Sequence, residues 1–347
     1  MRSPAKLALQ SILALLGLAV SALGQTAGSP AGNEPPEGTL DTFISREGKD
    51  VNSQLALILQ TLYEERSDTT LLLFEHDYGA RVHTKRIFYA ANTADHEYVP
   101  AYVFTPADLP AGKKLPGLVM VHGGYHAQLE YGYFELIAAA VAHGYAVIWP
   151  EYRGSSGYGE TVYLNQYGQT DVADVIAAAD YLATKDFVDP TRMGILGHSR
   201  GAMVTVLTIE RYPKRFQAAV EIAGIMDFVG YMAYKPDARR HDVAQEKQFG
   251  GKLPSDNLAA YLDIEALNHT DSIETPLLAL ATTGDKIVPV SLNTARLADV
   301  LKAKGKVFDS HIYINAPGGH MFLNADTDEG RDCFERSFAW LGKYLHP

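Results

Sequence analysis

The sequence predicts an α/β protein built on a mostly parallel, doubly wound sheet with helices on both faces. From Pro116 onward, short aliphatic runs alternate with longer amphipathic segments, and turn residues separate the two. Such runs are typical of strands that are buried on both faces of a parallel sheet. The chain has 347 residues, of which 47% are hydrophobic, and this is enough to bury one large core.

The first residues predict export. Arg2 and Lys6 precede an apolar stretch that runs from residue 7 to about residue 23 and ends in small residues. We interpret residues 1–24 as a secretory signal peptide, with an uncleaved membrane anchor as the alternative. The mature protein is then expected to be secreted or periplasmic and free of the membrane.

The rest of the chain is predicted to be a leader and one domain. Residues 25–40 are rich in Gly, Pro, Ser and Thr, which is typical of a flexible segment. Residues 41–347 contain no internal repeat and no second linker of this composition. We therefore expect a single domain over residues 41–347.

The elements of this domain can be placed in chain order. A short helix is predicted over residues 53–63, and two antiparallel strands over residues 86–105, where apolar and polar residues alternate. The strands of the parallel part are predicted at 118–121, 146–149, 194–196, 218–222, 277–280 and 310–314. Helices between them are predicted at 173–182, 202–211, 292–304 and 330–345.

Charge and cysteine content exclude two classes of function. The net charge is −11, from 41 acidic and 30 basic residues without long basic runs, so nucleic acid is not an expected partner. Cys333 is the single cysteine, which leaves no intramolecular disulfide. Its neighbours recur at helical spacing, so we interpret Cys333 as a buried structural thiol rather than a nucleophile.

The strongest chemical signal is Gly197-His198-Ser199-Arg200-Gly201. This G-x-S-x-G pentapeptide comes directly after an apolar strand and directly before a helix. A sharp strand-to-helix turn exposes the serine hydroxyl above the sheet, and small flanking residues let neighbouring elements approach it. The Arg200 N–H, at a helix N-terminus, is then expected to be one donor of an oxyanion hole.

A serine hydroxyl needs a base, and the base needs an acid that orients it. His320 follows the last predicted strand after two glycines, and Asp285 follows the strand before it. We predict Ser199, His320 and Asp285 as nucleophile, general base and orienting acid. Asp227, after the preceding strand, is the alternative acid; a helix cap is the other interpretation of that residue.

The second oxyanion donor is expected from His122-Gly123-Gly124-Tyr125, which ends a predicted strand. The Gly124 N–H, the Tyr125 N–H and the Tyr125 hydroxyl are the candidates. His122 and His126 have i,i+4 spacing, but the glycines between them argue against a helical metal site. We therefore predict no metal and no cofactor.

Residues 229–273 form an insertion between two predicted strands, and in such a fold an insertion often caps the site. Arg239 and Arg240 lie within it. One interpretation is that one of them pairs with a substrate carboxylate. The other, which we favour, is that both belong to a solvated surface turn.

Several of these motifs together resemble the catalytic domain of the prolyl oligopeptidase family. The resemblance covers about residues 85 to 345 and rests on His122-Gly123-Gly124, Tyr152-Arg153-Gly154-Ser155-Ser156-Gly157-Tyr158-Gly159, the Ser199 pentapeptide, Gly284-Asp285 with Val288-Pro289, and Gly318-Gly319-His320. It implies an α/β-hydrolase fold, the triad Ser199, Asp285 and His320, and the Arg200 N–H as oxyanion donor. Arg153 is expected to be a structural ion-pair partner.

The resemblance leaves the substrate open. The best-known peptidases of the family carry a β-propeller, and we expect none here. The first hypothesis is an exported serine peptidase acting on small peptides, and the second is a carboxylesterase or dienelactone-hydrolase-like esterase with the same triad. A non-catalytic binding protein is the third, which an intact triad disfavours. Oligomeric state stays open, a homo-oligomer included.

Overall fold

One eight-stranded sheet organises the protein in the computed structural model, which describes residues 51–94, 97–324 and 326–347. The spatial order of the strands is β1-β2-β4-β3-β5-β6-β7-β8. Their bounds are β1 (Val82–Ala90), β2 (Tyr98–Pro106), β3 (Leu115–Val121), β4 (Ala146–Pro150), β5 (Val188–His198), β6 (Ala218–Ile222), β7 (Leu277–Thr282) and β8 (Phe308–Tyr313).

The helices lie between and around these strands. They are α1 (Val51–Tyr78), α2 (Phe134–Ala142), α3 (Glu160–Tyr163), α4 (Thr170–Ala183), α5 (Arg200–Arg211), α6 (Phe228–Tyr234), α7 (Asp237–Ala244), α8 (Leu258–Leu262), α9 (Thr294–Ala303) and α10 (Asp328–Leu345).

The pairing of the strands confirms the predicted α/β-hydrolase architecture. β1 pairs antiparallel with β2, and β2 with β4. The other pairs, from β4-β3 to β7-β8, are parallel. Every residue of β3, β4, β6 and β7 is buried, as expected when helices cover both faces.

Alternate side chains of each strand enter two hydrophobic layers. In β3, Val119 and Val121 face the layer that includes α4, α5 and α9, while Leu118 and Met120 face the layer that includes α2 and α10. Cys333 lies in the second layer with no exposed surface, and burial raises the pKa of its thiol. The sheet thus separates two cores that jointly fix its position.

Helix α1 is much longer than the predicted segment 53–63. Its buried residues after that segment include Ser67, Thr70 and Phe74, which recur at helical spacing. Two of the three are polar, so the apolar periodicity that would have revealed the helix is missing. The prediction ended too early for this reason.

Strand β5 also exceeds its prediction, 194–196. Its first half contains Asp189, Pro190 and Arg192, which are typical of a loop, but Val188 and Asp189 pair with β3 before a register shift next to Gly117. The other predicted strands and helices are present in the predicted order, with ends that move by a few residues.

Internal contacts divide the chain into two units, Met1–Ile58 and Leu59–Pro347. Of the first, the structure describes only residues 51–58, which are helical. The predicted signal peptide, the leader and the start of the predicted domain lie outside the described residues. Within the described part of the chain, no helix combines the length and the apolar character that crossing a bilayer requires.

Arg153, which follows β4, forms a buried ion pair with Asp174 of α4. Its Nη2 lies 2.7 Å from Oδ1 of Asp174, and its Nε and backbone N–H also donate to that carboxylate. The Arg153 side chain is 5% exposed and that of Asp174 is fully buried. The sequence predicted Arg153 to be a structural ion-pair partner, and in the structure it pairs with Asp174.

We expect Arg153→Met to lower the free energy of unfolding by about 3 kcal/mol, because it leaves the buried Asp174 carboxylate without its partner. Urea denaturation measures the change. Arg215→Met is the control, since its partner Asp180 is half exposed and such surface pairs contribute about 1 kcal/mol or less. Equal effects of the two substitutions would contradict the structural role of Arg153.

Candidate active site

Three predicted residues meet at the carboxyl edge of the parallel strands. Ser199 follows β5, Asp285 follows β7, and His320 follows β8. Because neighbouring parallel strands end at the same edge, residues that are far apart in sequence come together there. Open α/β sheets place their ligands at this edge.

Ser199 sits at a strained turn between β5 and α5. Its backbone has φ 58° and ψ −121°, in the left-handed half of the map that L residues rarely adopt. Its N–H donates to the Ile222 carbonyl at 2.8 Å. A Cβ on Gly197 would lie 2.2 Å from the Gly201 carbonyl oxygen, and a Cβ on Gly201 would lie 2.1 Å from that of Val121. Both flanking glycines are therefore steric requirements of the turn.

A continuous hydrogen-bonded line joins serine, histidine and aspartate. His320 Nε2 lies 2.8 Å from Ser199 Oγ, and His320 Nδ1 lies 2.6 Å from Asp285 Oδ2. The other carboxylate oxygen of Asp285 accepts the N–H groups of Ile287 and Val288 at 2.7 and 2.8 Å. These bonds fix the carboxylate, which in turn orients the imidazole.

Asp227, the alternative acid, has other partners. Its carboxylate caps α6 by accepting the Gly230 N–H at 2.6 Å, and it also pairs with Arg296. The first contact stabilises the N-terminus of α6, where the insertion begins, and the second joins this end of the insertion to α9. The structure therefore brings Asp285, and not Asp227, to His320.

The loop after β3 packs directly against the serine. A Cβ on Gly123 would lie 2.9 Å from the Ser199 Cβ, so only glycine fits there. The Gly123 N–H donates to the Tyr133 hydroxyl at 3.1 Å. By contrast, the N–H groups of Gly124 and Tyr125 donate to no acceptor among the described residues. The Arg200 N–H is likewise without an intrahelical acceptor, because it begins α5.

The Arg200 side chain has a role that the sequence did not reveal. It is buried, pairs with Asp171 at 3.2 Å, and donates to the Gly124 carbonyl at 3.4 Å. Its guanidinium carbon lies 4.5 to 5.3 Å from the ring centres of three tyrosines, Tyr125, Tyr152 and Tyr167. The guanidinium thereby holds the loop after β3 against the nucleophile turn.

A second chain of hydrogen bonds links the two loops that flank Ser199. The Nε2 of His198 lies 3.0 Å from the His320 carbonyl, which can only accept, so that nitrogen carries the proton. Burial and the neighbouring His320 lower the pKa of His198 to about 3. His198 is thus neutral, and its Nδ1 accepts from the Tyr133 hydroxyl at 2.9 Å. That hydroxyl accepts from Gly123, which completes the chain.

The two histidines near the glycines are separated in space. His122 Nε2 contacts Ser155 Oγ at 3.0 Å, and burial lowers the His122 pKa to about 4. His126 instead contacts Glu246 at 2.8 Å and stacks on Tyr163. Among the described residues, no group of three or more His, Cys, Asp or Glu side chains is placed to hold a metal ion.

A cavity of about 780 Å³ opens above the serine. Gly124, Tyr125, Ser199, Arg200 and His320 line it, together with Tyr231, Lys235 and Arg239 from the insertion. Phe249 and Tyr261 of the insertion stack on each other and on Phe228, the residue before the insertion, with ring centres 4.2 to 6.0 Å apart. Part of the insertion therefore forms a wall of the cavity, as a cap would.

An eight-stranded, mostly parallel sheet of this strand order is the α/β-hydrolase fold, and its carboxyl edge aligns a serine, a histidine and an aspartate in the geometry of a catalytic triad. The chain belongs to the prolyl oligopeptidase family, because a model of that family matches residues 133–347. This match confirms the resemblance that the sequence motifs indicated.

The curated relatives include acylamino-acid-releasing enzymes and a protein named as a peptidase. The chain is 28% identical over 250 residues to an acylamino-acid-releasing enzyme of Arabidopsis thaliana, with 70% of this chain and 32% of the relative covered. It is 29% identical over 246 residues to the uncharacterized peptidase YuxL of Bacillus subtilis, with 67% and 35% covered. The chain thus spans about a third of the length of these two relatives.

Solved structures share the fold. An acylaminoacyl peptidase of Pyrococcus horikoshii superposes with a TM-score of 0.65 at 20% identity, covering 76% of this chain and 42% of the other. A puromycin-hydrolyzing peptidase of Mycobacterium tuberculosis gives 0.63 at 28% identity, covering 76% and 39%.

We expect Tyr133→Phe to lower kcat about tenfold, because it leaves the Gly123 N–H and His198 Nδ1 unpaired beside the serine. KM should change less than about twofold, since the hydroxyl acts through the positions of other groups. Steady-state kinetics, normalised by active-site titration with a fluorophosphonate, measures both.

Tyr131→Phe is the matched control, because Tyr131 is 68% exposed and lies outside the cavity lining. It should leave both constants unchanged. If Tyr133→Phe had the kcat of the Tyr131→Phe enzyme per titrated site, the hydrogen-bonded chain would have no part in positioning the site.

Proposed function

We propose that the protein is an exported serine peptidase that hydrolyses small peptides through an acyl-enzyme intermediate. The observation that carries the proposal is the line from Asp285 through His320 to Ser199 Oγ, with bonds of 2.6 and 2.8 Å. Family membership and the names of the relatives support peptide substrates. The basic and apolar N-terminal segment supports export.

In the proposed reaction, His320 transfers protons during both acylation and deacylation of Ser199. Ser199 Oγ attacks the substrate carbonyl carbon while His320 Nε2 takes the hydroxyl proton. The tetrahedral intermediate collapses as His320 gives that proton to the leaving amine, and the C–N bond breaks. Water then attacks the acyl carbon as His320 takes a proton from it, and His320 gives that proton to Ser199 Oγ as the bond between Oγ and the acyl carbon breaks, which leaves the acid and free Ser199.

The N–H groups of Arg200 and Tyr125 are the proposed oxyanion donors. The Gly123 N–H is already bonded to Tyr133. The Gly124 carbonyl faces the buried Arg200 guanidinium, and in a trans peptide the next N–H points the opposite way. The Tyr125 N–H therefore points away from the buried side of the loop, where it is free to meet an oxyanion. Each such donor contributes about 3 kcal/mol to transition-state stabilisation.

The first test compares the wild type with Ser199→Ala on N-acyl peptide anilides and on short-chain nitrophenyl esters. We expect the wild type to cleave both, and Ser199→Ala to lose a factor of about 10⁴ or more in kcat, since the nucleophile is gone. Cleavage of esters alone, lost in Ser199→Ala, would establish the esterase instead. If the two proteins did not differ on either substrate, the assignment of Ser199 as the nucleophile would be wrong.

The second test separates the two candidate acids. Asp285→Asn should lower kcat about 10³- to 10⁴-fold, because an amide no longer holds the imidazole in the required tautomer. Asp227→Asn should leave kcat within a few-fold and lower the free energy of unfolding by about 1 kcal/mol, through the weakened cap and ion pair. Kinetics and urea denaturation on both variants decide, and the reverse pattern would assign the acid to Asp227.

A further inference from the structure

The wall that the insertion contributes to the cavity is cationic. Lys235 lies at the end of α6 and Arg239 lies in α7, and both line the cavity that contains Ser199. Lys286, from the loop after β7, and Arg200, which pairs with Asp171, are the other cations in the lining among the described residues. The single carboxylate residue in that lining, within the described residues, is Glu130, which Arg66 holds at 2.7 Å. A protein with a net charge of −11 thus presents a positive cavity.

Lys235, which is partly buried, contacts only uncharged groups among the residues that the structure describes. Its ammonium donates to the Ile287 carbonyl at 2.6 Å and lies 4.3 Å from the ring centre of Tyr231. Neither partner carries a full negative charge, and no carboxylate of the described residues forms an ion pair with this ammonium. Burial lowers the pKa of Lys235. An anion beside it would offset part of that desolvation cost.

Arg239 is similarly short of a strong partner. Its guanidinium carbon lies 4.9 Å from the ring centre of Tyr125, an uncharged partner. The nearest carboxylate is that of Asp242, at 4.0 Å and 68% exposed. A contact of this length and exposure is weak. The neighbouring Arg240 differs, because it binds Asp237 at 2.6 Å and is absent from the cavity lining.

We propose that Lys235 and Arg239 form a subsite for a carboxylate of the substrate. The guanidinium can bind a carboxylate through two parallel N–H bonds, while the ammonium adds a point charge. The inference rests on the proposed hydrolase function of the same cavity and adds the class of substrate. Two sources carry this chemistry: the C-terminal carboxylate of a short peptide, in the leaving group, and a carboxylate on the acyl group.

Two pairs of substrates distinguish these sources. The first pair is acetyl-Ala-Ala-Ala with a free C-terminus and its C-terminal amide, followed by chromatography of the products. The second pair is succinyl-Ala-Ala p-nitroanilide and acetyl-Ala-Ala p-nitroanilide, which differ by a carboxylate on the acyl side. We expect the charged member of one pair to have a kcat/KM about tenfold higher, mainly through KM.

Arg239→Gln should bring the ratio of the charged to the uncharged member close to one, and adding Lys235→Met should remove what preference is left. Arg240→Gln is the matched control and should keep the wild-type ratio. High salt should reduce the preference of the wild type, because the cavity is open and its charges are screened. Ratios near one for both pairs in the wild type would overturn the proposal, as would an unchanged ratio in Arg239→Gln.

A binding measurement separates this inference from the proposed function. Calorimetric titration of Ser199→Ala with acetyl-Ala-Ala-Ala, succinyl-Ala-Ala amide and their uncharged counterparts needs no turnover. Tighter binding of a charged member, abolished by adding Arg239→Gln, supports the subsite even if no substrate is cleaved. Equal binding of charged and uncharged members overturns the subsite and leaves the peptidase proposal standing.

Discussion

The backbone of Ser199 is held at φ 58° and ψ −121°, a conformation that costs of order 1 to 3 kcal/mol and persists only when its surroundings impose it. The imposing groups are the Ile222 carbonyl, which accepts the Ser199 N–H, and the backbones of β3 and α5, which meet without side chains at Gly201. These contacts place the hydroxyl above the sheet and the first N–H groups of α5 beside it. The position of β5 between β3 and β6 therefore supplies the contacts that hold the turn at Ser199.

Around that turn, burial shifts the pKa values of two histidines and one glutamate toward their neutral forms. The pKa of His198 falls to about 3 and that of His122 to about 4, while burial raises the pKa of Glu151 to about 8. Neutral imidazoles can donate from one nitrogen and accept at the other, which a hydrogen-bonded chain between loops requires. Because His198 stays uncharged, it does not compete with His320 for the field of Asp285.

Local sequence signals were sufficient to predict that certain residues after strand ends come together at one edge of the sheet. Ser199, Asp285 and His320 each stand in a glycine-containing turn after an aliphatic run, and parallel strands bring such turns to one edge. The supporting contacts carry no such signal. Asp171 meets Arg200 across 29 residues of chain, and a single aspartate or tyrosine at that distance reads as surface or core. Ion pairs such as that between Arg200 and Asp171 depend on how the elements pack, so the sequence pattern alone does not predict them.

The two adjacent arginines of the insertion also have contacts that could not be predicted from the sequence alone. Consecutive residues of an α-helix point about 100° apart, so Arg239 and Arg240 cannot face the same surroundings. Arg239 lines the cavity and lies over the ring of Tyr125, while Arg240 pairs with Asp237 outside the lining. The charge of the cavity wall is thus set by how the insertion packs, while the triad is set by the sheet. In the proposed peptidase, substitutions in the insertion can therefore change substrate preference without disturbing the strained turn at Ser199.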